Sequence, residues 1–237
     1  MSNLVDTVRG MLLLETLRTA EDGTIPGPLL AELTALHASN RAFYTLSGDF
    51  PDPDDIRPEQ VNAALALELA NPDVEILLAR DTAPDIASHH DDTRPLDSAP
   101  PSIGTAPLVG TAPLVGTAPL VGTAPLVGTA PLVGIVITLA RHPDPADPDP
   151  WIGLLLVDAG AQRRGHGRRL AALVETRLRQ AGRTAVRLAA LDNNPGALAF
   201  WTSLGYEIIA HRADRQRGRP CTVLRKPLAP EDATPPA

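Results

Sequence analysis

Six consecutive residues, Gln162-Arg163-Arg164-Gly165-His166-Gly167, have the types and spacing to hold an anion. Glycines at alternate positions let a backbone approach its ligand closely. Arg163, Arg164 and Arg168 add positive charge. An apolar run, Ile152 to Val157, precedes the stretch, and an amphipathic pattern follows it. The six residues therefore join a buried strand to a helix N-terminus. Such a terminus carries unpaired N–H groups and the positive end of the helix dipole, which together favour phosphate. The ordinary alternative for an arginine cluster is a solvated helix face; the glycines argue against it here.

The charge distribution agrees. The 237 residues carry a net charge of −7, yet eight Arg and a single acid, Glu175, lie between Arg163 and Arg187. Most Asp residues fall instead in 49–55, 81–97 and 144–149. Overall acidity argues against nucleic-acid binding, while a local basic cluster suits a small phosphorylated ligand. Cys221 is the only cysteine, which rules out an internal disulfide and a Cys-based zinc site; no metal is expected. Asp6, Arg9 and Glu15 interrupt any signal-like apolar core near the start, so a soluble, cytoplasmic protein without membrane contact is expected.

Around this stretch, periodicity and punctuation predict the positioning elements. Strands are expected at Met11–Thr19, Val74–Arg80, Leu132–Ala140, Trp151–Asp158 and Thr184–Ala190, with a terminal antiparallel pair at Tyr206–Ala210 and Thr222–Lys226. Helices are expected at Pro28–His37, from Pro58 to Asn71-Pro72, at Arg168–Gln180, and from Asn194-Pro195 to Ser203. Val61, Leu65 and Leu69 mark the inner face of the second helix; Leu170, Leu173, Val174 and Leu178 mark that of the third. Ser39 to Pro53 reads as a loop holding Phe43, Tyr44 and Phe50, either lining a site or covering the core.

Thr-Ala-Pro-Leu-Val-Gly occurs five times without variation from Thr105 to Gly134. A Pro and a Gly in every copy make a membrane-spanning helix implausible. The six-residue period also resembles the left-handed β-helix of hexapeptide acyltransferases, but Pro falls where that repeat needs a small residue. Pro also removes a ladder donor from each copy, so only edge or unpaired extended backbone suits them. The expectation is an expanded loop whose last copy leads into the third strand. One domain, 11–227, is predicted. Residues 81–131 form an inserted linker without regular structure, and 228–237 a disordered tail.

The chain resembles the GCN5-related N-acetyltransferases. QRRGHG after the fourth strand matches that family's Q/R-x-x-G-x-G/A signature, and LAALDNNPGALAFWTSLGY matches its second. The two stand in the family's order and spacing and cover Trp151 to about Ala210. The resemblance implies an α/β (α+β) fold: a mixed, mostly antiparallel central sheet flanked by helices and splayed between its fourth and fifth strands. It implies acetyl-CoA as co-substrate. The backbone of Leu155, Leu156 and Val157 would bond the pantetheine arm. Arg163, Arg164, Gly165, His166, Gly167 and Arg168 would surround the pyrophosphate. Asn194 would hold the arm, although an N-cap before Pro195 is its structural alternative. His166, between the glycines, is expected as an exposed loop residue rather than a catalyst.

The implied activity is direct transfer of acetyl to a primary amine of a small molecule, peptide or protein, by a monomer or homodimer. A non-catalytic acyl-CoA-binding module is the alternative, because two family positions depart from the pattern. The usual acid, a Tyr seven residues after the Asn, is Trp201; a strand-five Glu used as base in some relatives is Ala189. Tyr206 is the remaining candidate acid, and Asp49, Asp192 and Glu207 are the candidate bases. The acidic run Asp49–Asp55 suggests a cationic acceptor.

Overall fold

The computed structural model describes residues 11–82, 130–144 and 146–228. The first four copies of the repeat, and most of the expected linker and tail, lie outside the described residues. Among the described residues seven strands form one sheet: β1 Leu12–Thr16, β2 Val74–Asp81, β3 Leu132–Leu139, β4 Trp151–Val157, β5 Ala185–Leu191, β6 Glu207–Ala213 and β7 Pro220–Pro227. Their spatial order is β1-β2-β3-β4-β5-β7-β6. All neighbours are antiparallel except β4 and β5. The terminal hairpin forms as predicted, but it returns so that β7, not β6, lies against β5.

Five α-helices of the described residues cover the two faces: α1 Gly27–Ser39, α2 Arg41–Ser47, α3 Pro58–Leu69, α4 His166–Gln180 and α5 Pro195–Ser203. Strand alternation feeds both faces. Leu77 and Ala79 of β2 join Val136, Leu170, Val174 and Trp201 in one core. Ile76 and Leu78 join Ile135, Leu33, Leu36, Val61 and Leu65 in the other. α3 begins where Pro58 takes the first turn and Gln60 Oε1 accepts the Arg57 N–H at 2.8 Å. Along α4 the inner stripe is Leu170, Ala171 and Val174; Leu173, expected inside, is 36% exposed.

Other boundaries also move. The expected loop at Ser39–Pro53 contains α2, closed by Gly48 in the left-handed region with its N–H on Tyr44 O at 2.9 Å. Tyr44 and Phe50 are buried in the α1/α3 core, so these aromatics cover the core rather than line a site. Both ends of the expected linker belong to the sheet. Asp81 donates its N–H to Pro131 O, and buried Arg80 binds Glu15, Glu32 and Ala130 O. The last repeat does lead into β3. Its Gly134 is sterically required there, because a Cβ would sit 2.9 Å from Leu156 O and 3.2 Å from Leu170 Cδ2. Leu228, expected in the tail, is buried and donates its N–H to Thr184 O.

Candidate acyl-donor site

β4 and β5 pair only at Trp151–Arg187 and Ile152–Leu188. Beyond Ile152 they separate. On its other side β4 stays paired with β3 up to Val157, with an extra residue at Gly153. The Asp158 N–H donates to Val133 O. By antiparallel alternation, Leu156 then faces β3, while the N–H and C=O of Leu155 and Val157 turn toward the opening. Of the three strand-end residues, the backbone of Leu156 is thus committed to Ile135, and its side chain belongs to the α1/α3 core.

The loop after β4 has the form of an anion cradle. Among the described residues Arg163 is the only non-glycine with positive φ, at 60°, and Gly165 has φ 85°. Alternation of handedness in successive residues turns several N–H groups to one side. Among the described residues, none of the backbone N–H groups from Arg163 to Arg168 has a protein acceptor; the first helical bond runs from Arg169 to Gly165 O. Gly167 lies where a Cβ would meet Phe200 Cζ at 3.4 Å, so α4 and α5 approach closely beside the cradle.

Arginine pairing sharpens the site. Across the rest of the fold most arginines meet carboxylates, as in Arg80–Glu15, Arg187–Asp149 and Arg225–Asp149. Arg163, Arg164 and Arg168 have no carboxylate partner among the described residues; Arg168 reaches only Ser203 Oγ, at 3.4 Å. Three uncompensated cations beside six open amides make a concentrated positive field.

His166 departs from its expectation. It is buried rather than exposed, with Nε2 3.6 Å from Asp81 Oδ2. Burial, reinforced by Arg169, pushes its pKa below the usual histidine range against the pull of Asp81. Its ring lies between Asp81 and Arg169, and its N–H is one of the open amides of the cradle. Asn194 Oδ1 accepts the Ala197 N–H at 3.0 Å, which makes it the N-cap of α5. Its Nδ2 has no partner among the described residues.

The proton-transfer candidates are dispersed. Tyr206 is 2% exposed, and its hydroxyl donates to Glu175 Oε1 at 3.2 Å. Burial first, then the Glu175 charge, drives its pKa far up, so it is a core residue and no donor to a leaving thiolate. Glu207 stands on the outermost strand, two strand spacings or about 10 Å from β5. Asp49 is bound by Arg219 at 2.8 Å. Asp192, just beyond β5, accepts from Thr222 Oγ1 at 2.8 Å. Trp201 is buried against Phe200 and Tyr206, and Ala189 is exposed on β5. Within the acidic run Asp54 meets Arg41 at 2.9 Å and Asp55 meets Arg57 at 3.6 Å, all four side chains exposed, while Asp52 has no cationic partner among the described residues.

Two residues of the site were missed. Asn40, between α1 and α2, is buried and donates Nδ2 to Val157 O at 3.1 Å; Gln162 Nε2 donates to the same oxygen at 3.1 Å and to Asn40 Oδ1 at 2.9 Å. Gln162 was legible as the first residue of its motif. Asn40 carried no signal, because its partner lies 117 positions away.

Residues 91–206 match the family model described as Acetyltransferase (GNAT) family. The chain carries a GNAT acetyltransferase domain. An acetyltransferase from Thermus thermophilus has the same fold, with TM-score 0.53 and 19% identity over 91% of this chain and 97% of that one. A spermidine N-acetyltransferase from Vibrio cholerae, solved with CoA and spermine, superposes with TM-score 0.54 and 9% identity over 92% and 95% of the two chains. At these identities the likeness is one of fold: the GNAT sheet, mixed and mostly antiparallel, with flanking helices. No curated protein matches the chain in sequence. Among the described residues no helix is long and apolar enough to cross a membrane.

Proposed function

We propose that this GNAT domain is an acetyl-CoA-dependent N-acetyltransferase that transfers acetyl directly to a primary amine. The observation that carries the reading is the cradle of open amides and unpaired arginines at the mouth of the β4–β5 separation. Acetyl-CoA is the family's co-substrate, and its shape suits this arrangement. Its pyrophosphate needs N–H donors and positive charge, which Arg163 to Arg168 offer. Its pantetheine arm is an extended chain with two amides, which fits beside an unpaired strand edge. Leu155 and the Val157 N–H supply that edge, the Val157 carbonyl being taken by Asn40 and Gln162, and Asn194 Nδ2, without a partner among the described residues, can meet the arm.

In the reaction an amine nitrogen attacks the thioester carbonyl, the carbon–sulfur bond breaks with CoA leaving as the thiolate, and the proton lost by nitrogen passes to a base or water and ends on the thiol of free CoA. Backbone N–H groups of β4 would polarise the carbonyl as negative charge develops. Asp192 is the best placed of the candidate bases, since it follows β5 directly. Proximity alone serves an amine that arrives neutral. The acceptor is a small molecule, a peptide or a protein.

Trp201 and Ala189, which replace the family's acid and base, favour one competing reading: an acyl-CoA-binding module without turnover. Thiol release from acetyl-CoA over a panel of amines, with products identified by mass, separates the two. Acceptor-dependent release and an acetylated product are expected. Tight CoA binding with release no faster than hydrolysis on every acceptor would establish the module instead.

A further inference from the structure

One helix crosses the separation between β4 and β5. α2 is seven residues long. Its N-terminal end is tied to the β4 side. There Asn40 Nδ2 donates to Val157 O at 3.1 Å, its Oδ1 accepts from Gln162 at 2.9 Å, and Ser39 Oγ accepts the Ala159 N–H at 3.1 Å. Its C-terminal end is tied to the β5–β7–β6 side. Asn193, after β5, donates to Leu46 O at 3.0 Å. From the β6–β7 hairpin, Arg219 donates to Ser47 O and, at 2.8 Å, to Asp49 Oδ1, while Arg217 donates to Gly48 O. The lengths agree. Seven helical residues span about 10 Å. Two strand spacings, the room one extended chain needs between β4 and β5, also come to about 10 Å.

We propose that α2 is a strap that sets the width of the β4–β5 opening, with Asn40 and Arg219 as positioning residues for the pantetheine arm of the acyl donor. The inference rests on the CoA reading above. Past Ile152 no ladder bond joins the two halves, so something else must hold them at a fixed spacing. A chain lying in the gap bonds to both sides only while each donor–acceptor distance stays near 3 Å. A widening of about 1 Å would therefore forfeit one side. Asn40 leaves little slack, since it is 5% exposed and both ends of its carboxamide are bonded.

The test uses the full chain, with acetyl-CoA affinity measured by calorimetry at a temperature where circular dichroism shows every variant folded. The variants are Asn40→Ala, Arg219→Ala, their combination, and Leu65→Ala, which empties part of the core beneath α3 and removes none of the strap's hydrogen bonds. Each strap variant is expected to weaken acetyl-CoA binding by about tenfold. The double variant should be no weaker than the worse single one, because freeing either end frees the strap. Leu65→Ala should lower the melting temperature and leave affinity unchanged. Unchanged affinity in the strap variants, additive losses, or an equal loss in Leu65→Ala would overturn the strap. A wild-type chain that fails to bind acetyl-CoA would overturn the CoA reading and the strap together, whereas binding that the variants leave intact removes the strap alone.

Discussion

The two ends of the β4–β5 gap treat their charged groups in opposite ways. At the closed end Trp151 and Ile152 pair with Arg187 and Leu188, and the β3–β4 loop stitches the halves together. Asp149 takes Arg187 and Arg225, each at 2.8 Å; Asp147 takes Arg187 and, at 3.1 Å, Arg212. His142 stacks on Trp151 at 4.8 Å, and Arg212 lies 5.0 Å above the same ring. At the open end six consecutive amides and three arginines have no such partners among the described residues. A fold that satisfies its charges so fully at one end, and leaves a contiguous set open at the other, keeps its spare hydrogen-bonding capacity where its own bonding stops.

The largest expected effect breaks the open end. Gly165→Asp puts a carboxylate among the cradle amides and a side chain at φ 85°. Acetyl-CoA affinity should fall by at least about a thousandfold in calorimetry, from charge repulsion at contact distance added to backbone strain. Gly165→Ala carries the strain without the charge, and nothing lies within 4 Å of the added methyl. It should cost only about 1 kcal/mol of stability and leave most of the affinity. Equal losses in both variants would mean that the loop's shape, not its field, binds the ligand.

The closed end should respond in the other observable. Arg187→Ala removes the cation shared by Asp147 and Asp149, which are 10% and 13% exposed at the side chain, and leaves them Arg212 and Arg225. Urea unfolding should show a loss of about 3 kcal/mol, as expected when one partner of a largely buried network is removed. Acetyl-CoA affinity measured on the folded fraction should change less than about threefold. A large loss of affinity with little loss of stability would erase the distinction between the two ends.

Much of this contrast was readable from residue order. The run Ile152–Val157, the glycine spacing after it and Asn194-Pro195 locate β4, the cradle and the start of α5, because each is a local pattern of burial, φ or capping. What escaped depends on distant partners. α2 reads as a loop because Gly48, Pro51 and Pro53 crowd it, yet it is held by Arg217 and Arg219, roughly 170 positions later. His166 looks exposed in its motif until Asp81 comes in from β2. Tyr206 looks available until Glu175, on α4, takes its hydroxyl. A hairpin pattern likewise does not say which of its strands will lie against β5.

The roof of the open end should be sensitive to acid. His37, one turn before Asn40, is buried with Nδ1 bonded to the Tyr44 hydroxyl, and its Nε2 has no partner among the described residues. Burial lowers its pKa from 6.5 to about 4. The folded state therefore holds the neutral ring, and between these values the unfolded chain binds more protons. Stability contributed by the neutral ring is complete above about pH 6.5 and declines as pH falls toward 4, by about 3 kcal/mol in all. Thermal unfolding from pH 7 to 4 should show a shallower decline for His37→Phe than for the wild type. Parallel curves would place the acid sensitivity elsewhere, with the stitched carboxylates of the closed end the next place to look.

The smallest effect separates two uses of one side chain at the margin of the opening. Asn194 Oδ1 caps α5 through the Ala197 N–H, and Nδ2 is free for the donor's arm. Asn194→Asp keeps an acceptor for the cap and deletes the free N–H donor. Stability should hold within about 0.5 kcal/mol, while acetyl-CoA affinity falls several-fold for the loss of one hydrogen bond. Asn194→Ala removes both functions and should add a stability loss of about 1 kcal/mol. If Asn194→Asp binds acetyl-CoA as tightly as the wild type, Asn194 belongs with the closed end, as a residue whose bonding is complete within the fold, and the open set narrows to the cradle and the edge of β4.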